Sequence, residues 1–187
     1  MENDVEIGLK NLPDVFSKVS VKFLLKNGNA ERQLKFLSMS SLDDFAGFAY
    51  VMDKKFHGHE IDLLTFRGGE PHSAAEYKCT FSFDPGGTKK AAFDAIKKTT
   101  KTEGLEELNL QNIYIVHFLN HARHSANGDV PQSILEKYPN GKPISIVDLK
   151  KIYTNSKSEL KVVLEQNVLC ERGAELLDVL VLRLSKD

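Results

Sequence analysis

Residues 60–83 read EIDLLTFRGGEPHSAAEYKCTFSF, and this stretch decides the fold. Its first part, Glu60–Phe66, is rich in isoleucine, leucine, threonine and phenylalanine, which favour an extended strand. Residues 67–72 carry a Gly-Gly pair and a proline, a composition typical of a turn. Residues 74–83 then return as a second extended run. The stretch therefore predicts an antiparallel β-hairpin.

The two faces of the return strand differ in character. Residues two apart share a face of a strand, so Glu76 and Lys78 lie together, while Tyr77 and Cys79 lie on the opposite face. The opposite face is apolar and is expected to pack in the core. Asp62 lies on the first strand, and antiparallel pairing can bring its carboxylate close to that of Glu76.

Two carboxylates beside a lysine suit metal-assisted hydrolysis of a phosphodiester. Carboxylate oxygens bind hard cations such as Mg²⁺ or Mn²⁺, which polarise a phosphate and acidify water. The lysine can orient the attacking water or offset charge in the transition state. Without a positive neighbour, two adjacent carboxylates would repel, and one would tend to remain protonated.

The rest of the chain alternates between extended and helical patterns. The expected elements are an N-terminal helix or arm (1–19), a hairpin about Asn27-Gly28 (20–39), a helix with an apolar stripe from Phe45 to Phe56, a helix at 88–102, a strand at 113–119, a strand at 144–147, a helix at 147–153, a segment at 158–166 that is either helical or extended, and a strand at 176–184. This order predicts an α/β protein in which helices cover a mixed sheet.

The length and composition favour one soluble domain. The chain has 187 residues and a net charge of −1, which excludes a histone-like grip on nucleic acid but leaves room for a local basic face. Two cysteines are too few for a disulfide framework. No apolar run reaches the roughly 18 residues of a membrane helix, and the acidic start lacks the build of a signal peptide. We therefore expect a cytoplasmic protein without membrane partners.

Asp62, followed by Glu76-Tyr77-Lys78 in a helix–strand–strand–helix–strand setting, resembles the PD-(D/E)xK nuclease superfamily of many restriction enzymes and Holliday-junction resolvases. The resemblance covers about residues 41–120. The segment ISIVDLKKIY (144–153) is similar to the strand–helix that often follows in restriction-type members. The resemblance implies one restriction endonuclease-like domain (1–187). This domain would have an additional N-terminal hairpin at about 20–39 and a C-terminal strand–helix–strand extension at about 144–187.

The resemblance also implies residue roles. Asp62 and Glu76 would bind Mg²⁺ or Mn²⁺, the backbone carbonyl of Tyr77 would be a further ligand, and Lys78 would be the catalytic lysine of an endonuclease. Many members dimerise, so a homodimer is expected from the resemblance. Two features depart from the family pattern: Ile61 precedes Asp62 where many members have proline, and the expected first helix contains no glutamate. Glu60, Asp43, Asp44 and Asp53 are the alternatives for a fourth acidic ligand.

A lysine-rich helix follows the predicted site. It carries Lys89, Lys90, Lys97, Lys98 and Lys101, with Asp94 as its one acid. Lys89, Lys90, Lys97 and Lys101 are the predicted nucleic-acid contacts, and the backbone N–H groups after Pro85-Gly86-Gly87 are a second phosphate-binding candidate. The alternative is that these lysines only face solvent and bind no nucleic acid.

Three functions remain open from the sequence. The first is a metal-dependent nuclease acting on DNA rather than RNA. The second is a catalytically inactive nuclease-like binding module, and the third is an RNA-directed enzyme, such as a toxin or a cap-cleaving nuclease, that uses the same residues.

Overall fold

A computed structural model describes residues 4–18, 30–40, 47–56, 59–101, 105, 107–121, 143–155, 160–172 and 175–186. The helices in these ranges are α1 (Asp4–Lys10), α2 (Leu12–Lys18), α3 (Ala30–Ser40), α4 (Pro85–Lys101) and α5 (Ile146–Thr154). The strands are β1 (Phe48–Phe56), β2 (His59–Arg67), β3 (Glu70–Phe81), β4 (Asn112–Asn120), β5 (Leu160–Arg172) and β6 (Glu175–Lys186).

The strands form one mixed sheet in the order β1-β2-β3-β4-β6-β5. Strands β3 and β4 are parallel, and every other neighbouring pair is antiparallel. A parallel pair needs a crossover connection, and α4 lies within the connection between β3 and β4. The protein is therefore an α/β protein with an open mixed sheet, as the alternating sequence pattern predicts.

Helices cover both faces of the sheet. On one face, apolar side chains of α1, α2 and α3 pack against the sheet, with Tyr77 of β3 in the same cluster. On the other face, α4 and α5 pack against β4 and β6. Alternate residues of β4 enter the two clusters, Val116 and Phe118 on one side and Ile115 and Leu119 on the other. This arrangement explains the continuous apolar run of β4, since both of its faces are buried.

The hairpin at the centre of the sequence is confirmed. Strands β2 and β3 pair antiparallel, and Gly68 and Gly69 form the turn between them with φ angles of +61° and +88°. These left-handed angles favour glycine, which adopts them without the steric cost that a Cβ atom brings. The predicted α4 helix and the strands β4 and β6 are also present, within a few residues of the expected bounds.

The expected N-terminal hairpin at about 20–39 is wrong in its second half. Residues 19–29 lie outside the described residues, and Ala30–Ser40 is the helix α3 rather than a return strand. Leu34 and Met39 are buried while Phe36 is half exposed, which is a helical pattern rather than an alternating one.

The helix expected from Phe45 to Phe56 is also wrong, since Phe48–Phe56 is the strand β1. It pairs with β2 from Phe48 opposite Arg67 to Phe56 opposite His59. Tyr50 and Met52 pack against the core while Val51 between them is exposed, so the side chains alternate with the period of a strand. Backbone pairing with β2 overrides the helical spacing of the apolar residues.

The C-terminal part differs in one element. Residues 143–145 are neither helix nor strand, so the expected short strand at 144–147 is wrong. Instead, Ser145 caps α5, and its hydroxyl accepts a hydrogen bond from the backbone N–H of Asp148 in a capping box. The segment at 158–166 resolves to the extended alternative, because β5 begins at Leu160. None of the helices in the described part of the chain is long and apolar enough to cross a membrane.

Candidate metal-binding and catalytic site

The candidate site lies where β2 separates from β3. The paired register of the two strands ends at Leu63 opposite Ala75. Beyond that pair, the side chain of Asp62 replaces a backbone acceptor, and its Oδ2 accepts a hydrogen bond from the backbone N–H of Tyr77 at 2.7 Å. Asp62 is buried, so the separation of the strands holds a carboxylate at the edge of β3.

A second carboxylate lies along the same edge. Glu31, in the first turn of α3, accepts a hydrogen bond from the backbone N–H of Cys79 at 2.9 Å. Burial raises the pKa of Glu31, Lys78 lowers it, and Asp62 raises it. Sequence reasoning missed this residue because it assigned residues 20–39 to a hairpin, and a helical reading of 30–40 would have placed it in a first turn.

Glu76 is the third carboxylate, and it contacts two lysines. It is buried, and its Oε1 lies 2.5 Å from Nζ of Lys78 and 2.9 Å from Nζ of Lys98. Burial raises the pKa of Glu76 to about 7, with Asp62 adding to the rise, although Lys78 lowers it. The two lysines therefore offset only part of the cost of burying this charge. We call Glu31, Asp62, Glu76, Lys78 and Lys98 the carboxylate–lysine cluster.

A neighbouring acidic group also contains Asp62. One carboxylate oxygen from each of Asp53, Glu60 and Asp62 lies within 4.8 Å of the others, close enough to share a metal ion. Asp53 lies opposite Asp62 in the register of β1 and β2, and its backbone has a left-handed φ of 55°. The buried Lys35 pairs with Asp53 and lies 3.8 Å from Oδ1 of Asp62. A protein ammonium group thus already neutralises part of this triad.

The predicted site residues are mostly brought together. Asp62, Glu76 and Lys78 belong to one electrostatic cluster, since Asp62 and Lys78 both shift the pKa of Glu76. The side chain of Tyr77 is fully buried, and its hydroxyl lies 3.3 Å from Oγ of Ser38. Its N–H points toward Asp62, and the N–H and C=O of one strand residue face the same edge, so its carbonyl also faces that edge.

Of the alternatives for a fourth ligand, Asp53 and Glu60 lie beside Asp62. Asp43 and Asp44 lie outside the described residues. Glu31, which was not among these alternatives, is the acidic residue that the structure adds on the first helix. A small pocket is lined by Glu60, Glu76 and Lys98 together with apolar residues such as Ile61 and Leu105.

The lysines of α4 divide into two groups. Lys89, Lys90 and Lys97 are exposed to solvent, whereas Lys98 turns toward Glu76. Lys101 ends the helix, and its side chain lies outside the described residues. The predicted basic face is therefore present over Lys89, Lys90 and Lys97.

Asp84 caps the N-terminus of α4, the second phosphate-binding candidate predicted from the sequence. Asp84 accepts a hydrogen bond from the backbone N–H of Gly87 at 3.0 Å, and its backbone carbonyl accepts one from the N–H of Thr88 at 2.9 Å. A Cβ atom at Gly87 would lie 2.3 Å from Oδ2 of Asp84, so a larger residue there would displace the capping carboxylate. A carboxylate already occupies this helix start and would repel a phosphate.

The buried His117 contacts both β3 and α5. Nε2 of His117 lies 2.7 Å from the hydroxyl of Thr80, and Nδ1 lies 2.8 Å from the hydroxyl of Tyr153. Burial lowers the pKa of His117 to about 3, and Lys78 also lowers it. The imidazole is therefore neutral at physiological pH. It connects Thr80 of β3 with Tyr153 of α5.

No known protein-family profile, curated protein or solved structure matches this chain. The fold and the site define an α/β protein that carries carboxylates and lysines where two strands of a mixed sheet separate.

Proposed function

We propose that the protein is a divalent-metal-dependent nuclease of the PD-(D/E)xK type, an endonuclease that hydrolyses phosphodiester bonds in nucleic acid, with DNA favoured over RNA. The observation that carries the proposal is that Asp62 and Glu31 bind successive N–H groups along β3, while Lys78 contacts Glu76 and lowers the pKa of both Glu76 and Glu31. A pair of acids near a lysine arises often by chance, but three buried or half-buried acids gathered at a strand separation carry a real electrostatic cost.

The order of elements supports a restriction endonuclease-like fold. Helix α3, strands β2 and β3, helix α4 and strand β4 keep the helix–strand–strand–helix–strand order of the resemblance, with β1 as one more strand before β2. Many members of the superfamily carry a glutamate in the first helix. Glu31 of α3 supplies that residue here, which removes one of the two departures seen in the sequence.

The oxygen donors around Asp62 are of the kind a hard cation binds, and in the described part of the chain the acids whose oxygens lie within 4.8 Å of one another are Asp53, Glu60 and Asp62. Asp62 and Glu76 offer carboxylate oxygens, the carbonyl of Tyr77 faces the same edge, and Glu31 is a further carboxylate; Mg²⁺ and Mn²⁺ prefer such oxygen ligands. A cation would also relieve the repulsion between Asp62 and Glu76 that raises the pKa of Glu76. When bound, it supplies positive charge against the phosphate oxygens and acidifies nearby water.

The lysines have separate roles in this proposal. Lys78 is half-buried with its Nζ 2.5 Å from Glu76, so it is held in place and can orient the attacking water or offset charge on the phosphate. Lys98 contacts the same carboxylate from α4 and lines the small pocket. It would neutralise the incoming phosphate backbone.

The test is a cleavage assay on linear, supercoiled, single-stranded and branched DNA, and on RNA, with Mg²⁺, Mn²⁺ or EDTA. We expect metal-dependent cleavage that Asp62→Asn abolishes and Lys78→Met lowers by about 100-fold or more. Lys54→Met, which removes an exposed lysine on β1, is the matched control and should retain activity. Circular dichroism establishes that each variant is folded. Full activity in Lys78→Met would contradict the mechanism.

One observation favours the inactive binding module instead. Lys35 pairs with Asp53 and lies near Asp62, while Lys78 and Lys98 contact Glu76, so protein cations already offset these acids. A module of this kind needs no metal. It predicts no rise in melting temperature with Mn²⁺, whereas a nuclease that binds Mn²⁺ is stabilised by it. The RNA arm of the cleavage assay separates the RNA-directed alternative.

A further inference from the structure

The solvent face of α4 carries an aromatic ring among its lysines. Phe93 is 48% exposed, whereas the opposite face of the helix packs in the core through Ala92 and Ala95. Residues four apart lie one above the other on a helix, so Lys89 and Lys97 flank Phe93 along one line. Lys90 lies one turn before it, on the adjacent line. The ring therefore lies within a row of ammonium groups.

One flank of α4 reaches the candidate site. Lys98 follows Phe93 by five residues, a rise of about 7.5 Å along the helix axis and a rotation of about 140° around it, so Lys98 lies at the edge of the exposed surface and not on the line of Phe93. The Nζ of Lys98 lies 2.9 Å from Glu76, and the pocket lined by Lys98, Glu60 and Glu76 lies at this end of the helix. A strand bound along Lys89, Phe93 and Lys97 would turn about 100° around the helix, past Asp94, to reach Lys98 and the carboxylates.

We propose that Phe93 is a base-stacking residue and that α4 selects single-stranded nucleic acid over duplex. Lysines that hold phosphates beside an aromatic ring that stacks on bases are how sequence-tolerant single-strand binders work. In a duplex the bases are stacked on one another and the phosphates face outward, so the lysines would have partners but the ring would have none. The inference rests on the proposed function and names its substrate class as unpaired strands.

The experiment measures binding in EDTA, where no cleavage occurs. Fluorescence anisotropy follows three labelled probes of equal length: oligo(dT), a strand of abasic nucleotides, and a duplex. We expect wild type to bind oligo(dT) more tightly than the abasic strand, because only oligo(dT) offers bases. Phe93→Ala should weaken oligo(dT) binding by about tenfold and leave abasic and duplex binding unchanged, in line with the usual contribution of one stacked base.

Three further variants sharpen the result. Phe93→Trp keeps an aromatic surface and should retain the preference for oligo(dT). Phe36→Ala removes a phenylalanine of matching exposure (50%) from α3, away from the lysines, and should change nothing. Lys97→Gln should weaken all three probes and lower the salt dependence of binding by about one ion.

Equal binding of oligo(dT) by wild type and Phe93→Ala overturns the inference, as does an equal loss on the abasic strand. Binding of an acidic polypeptide as tightly as oligo(dT) also overturns it, because α4 would then recognise negative charge without any contribution from bases. The two proposals fail separately. Tighter binding of oligo(dT) than of the abasic strand in EDTA, without cleavage in Mg²⁺, contradicts the nuclease and supports Phe93 as a stacking residue. Cleavage in Mg²⁺ with equal binding of oligo(dT) and the abasic strand supports the nuclease and contradicts the stacking role of Phe93.

Discussion

Replacing Glu76 with glutamine tests the electrostatics of the site through stability alone. Glutamine keeps the size of the side chain and removes its charge. Burial and the neighbouring Asp62 raise the pKa of Glu76 from 4.5 to about 7, although Lys78 opposes the rise. The folded protein therefore holds a proton on this carboxyl between pH 4.5 and 7, while the unfolded chain has released it.

The sign and the magnitude follow from this difference. The folded state binds more protons than the unfolded state in this window, so the contribution of Glu76 is fully present below pH 4.5 and is lost as the pH rises through about 7. At roughly 1.4 kcal/mol for each pH unit, the loss amounts to about 3 kcal/mol. His117, whose pKa burial lowers to about 3, changes stability in the opposite sense, so the wild-type curve alone is not diagnostic.

The diagnostic quantity is the free energy of unfolding of Glu76→Gln minus that of wild type, measured by urea denaturation from pH 4.5 to pH 8. We expect this difference to rise by about 3 kcal/mol toward high pH, because only the wild type must bury an ionised carboxylate. Glu70→Gln, which changes an exposed glutamate at the start of β3, should give a flat difference. A flat difference for Glu76→Gln as well would refute the reasoning.

Three other substitutions test the packing around the site. Thr65→Val removes a buried hydroxyl that donates to the carboxylate of Asp4, and it should lower the free energy of unfolding by about 1–3 kcal/mol in urea titrations. Tyr153→Phe removes the hydroxyl beside the buried imidazole and should cost about 1 kcal/mol, with no change in far-UV circular dichroism. Gly87→Ala pushes a methyl group against the capping carboxylate of Asp84 and should lower the melting temperature in calorimetry, by the few degrees that a loss of about 1 kcal/mol produces. An unchanged stability in any of these would contradict the contact concerned.

The hairpin of β2 and β3 was predictable because its signals are local. The extended runs on either side of Gly68-Gly69 specify strands, and the turn specifies their antiparallel pairing. This pairing is what places Asp62 near Glu76. The core of the candidate site therefore came from sequence reasoning, whereas its surroundings did not.

The region before the hairpin was not predictable because its helical face is partly polar. On α3, Lys35 and Ser38 are buried along with Leu34 and Met39, so the buried residues do not stand out as apolar. The exposed Phe36 adds a false alternation with Leu34. For β1, apolar residues at helical spacing concealed a strand that forms through long-range pairing with β2.

The missed residues follow from these errors. Glu31 and Lys35 belong to α3, which the sequence pattern predicts as a strand, and Asp53, which it offers only as an alternative ligand, belongs to β1 and not to a helix. Their relation to Asp62 depends on tertiary packing that no short segment encodes. The backbone pairing of β2 with β3 stops where the carboxylates of Asp62 and Glu31 accept hydrogen bonds from the N–H groups of Tyr77 and Cys79. No local sequence pattern indicates that a strand pairing stops at such a point.

The most direct measurement is a Mn²⁺ titration of the wild type, of Asp62→Asn and of the surface control Asp94→Asn, followed by melting temperature. If the carboxylate–lysine cluster holds a metal, Mn²⁺ at 100 times its dissociation constant adds about 2.7 kcal/mol, or about 5–10 °C, to the wild type and to Asp94→Asn. Asp62→Asn should show little or no rise. Melting temperatures that stay constant in all three proteins throughout the Mn²⁺ titration would contradict a metal-dependent nuclease.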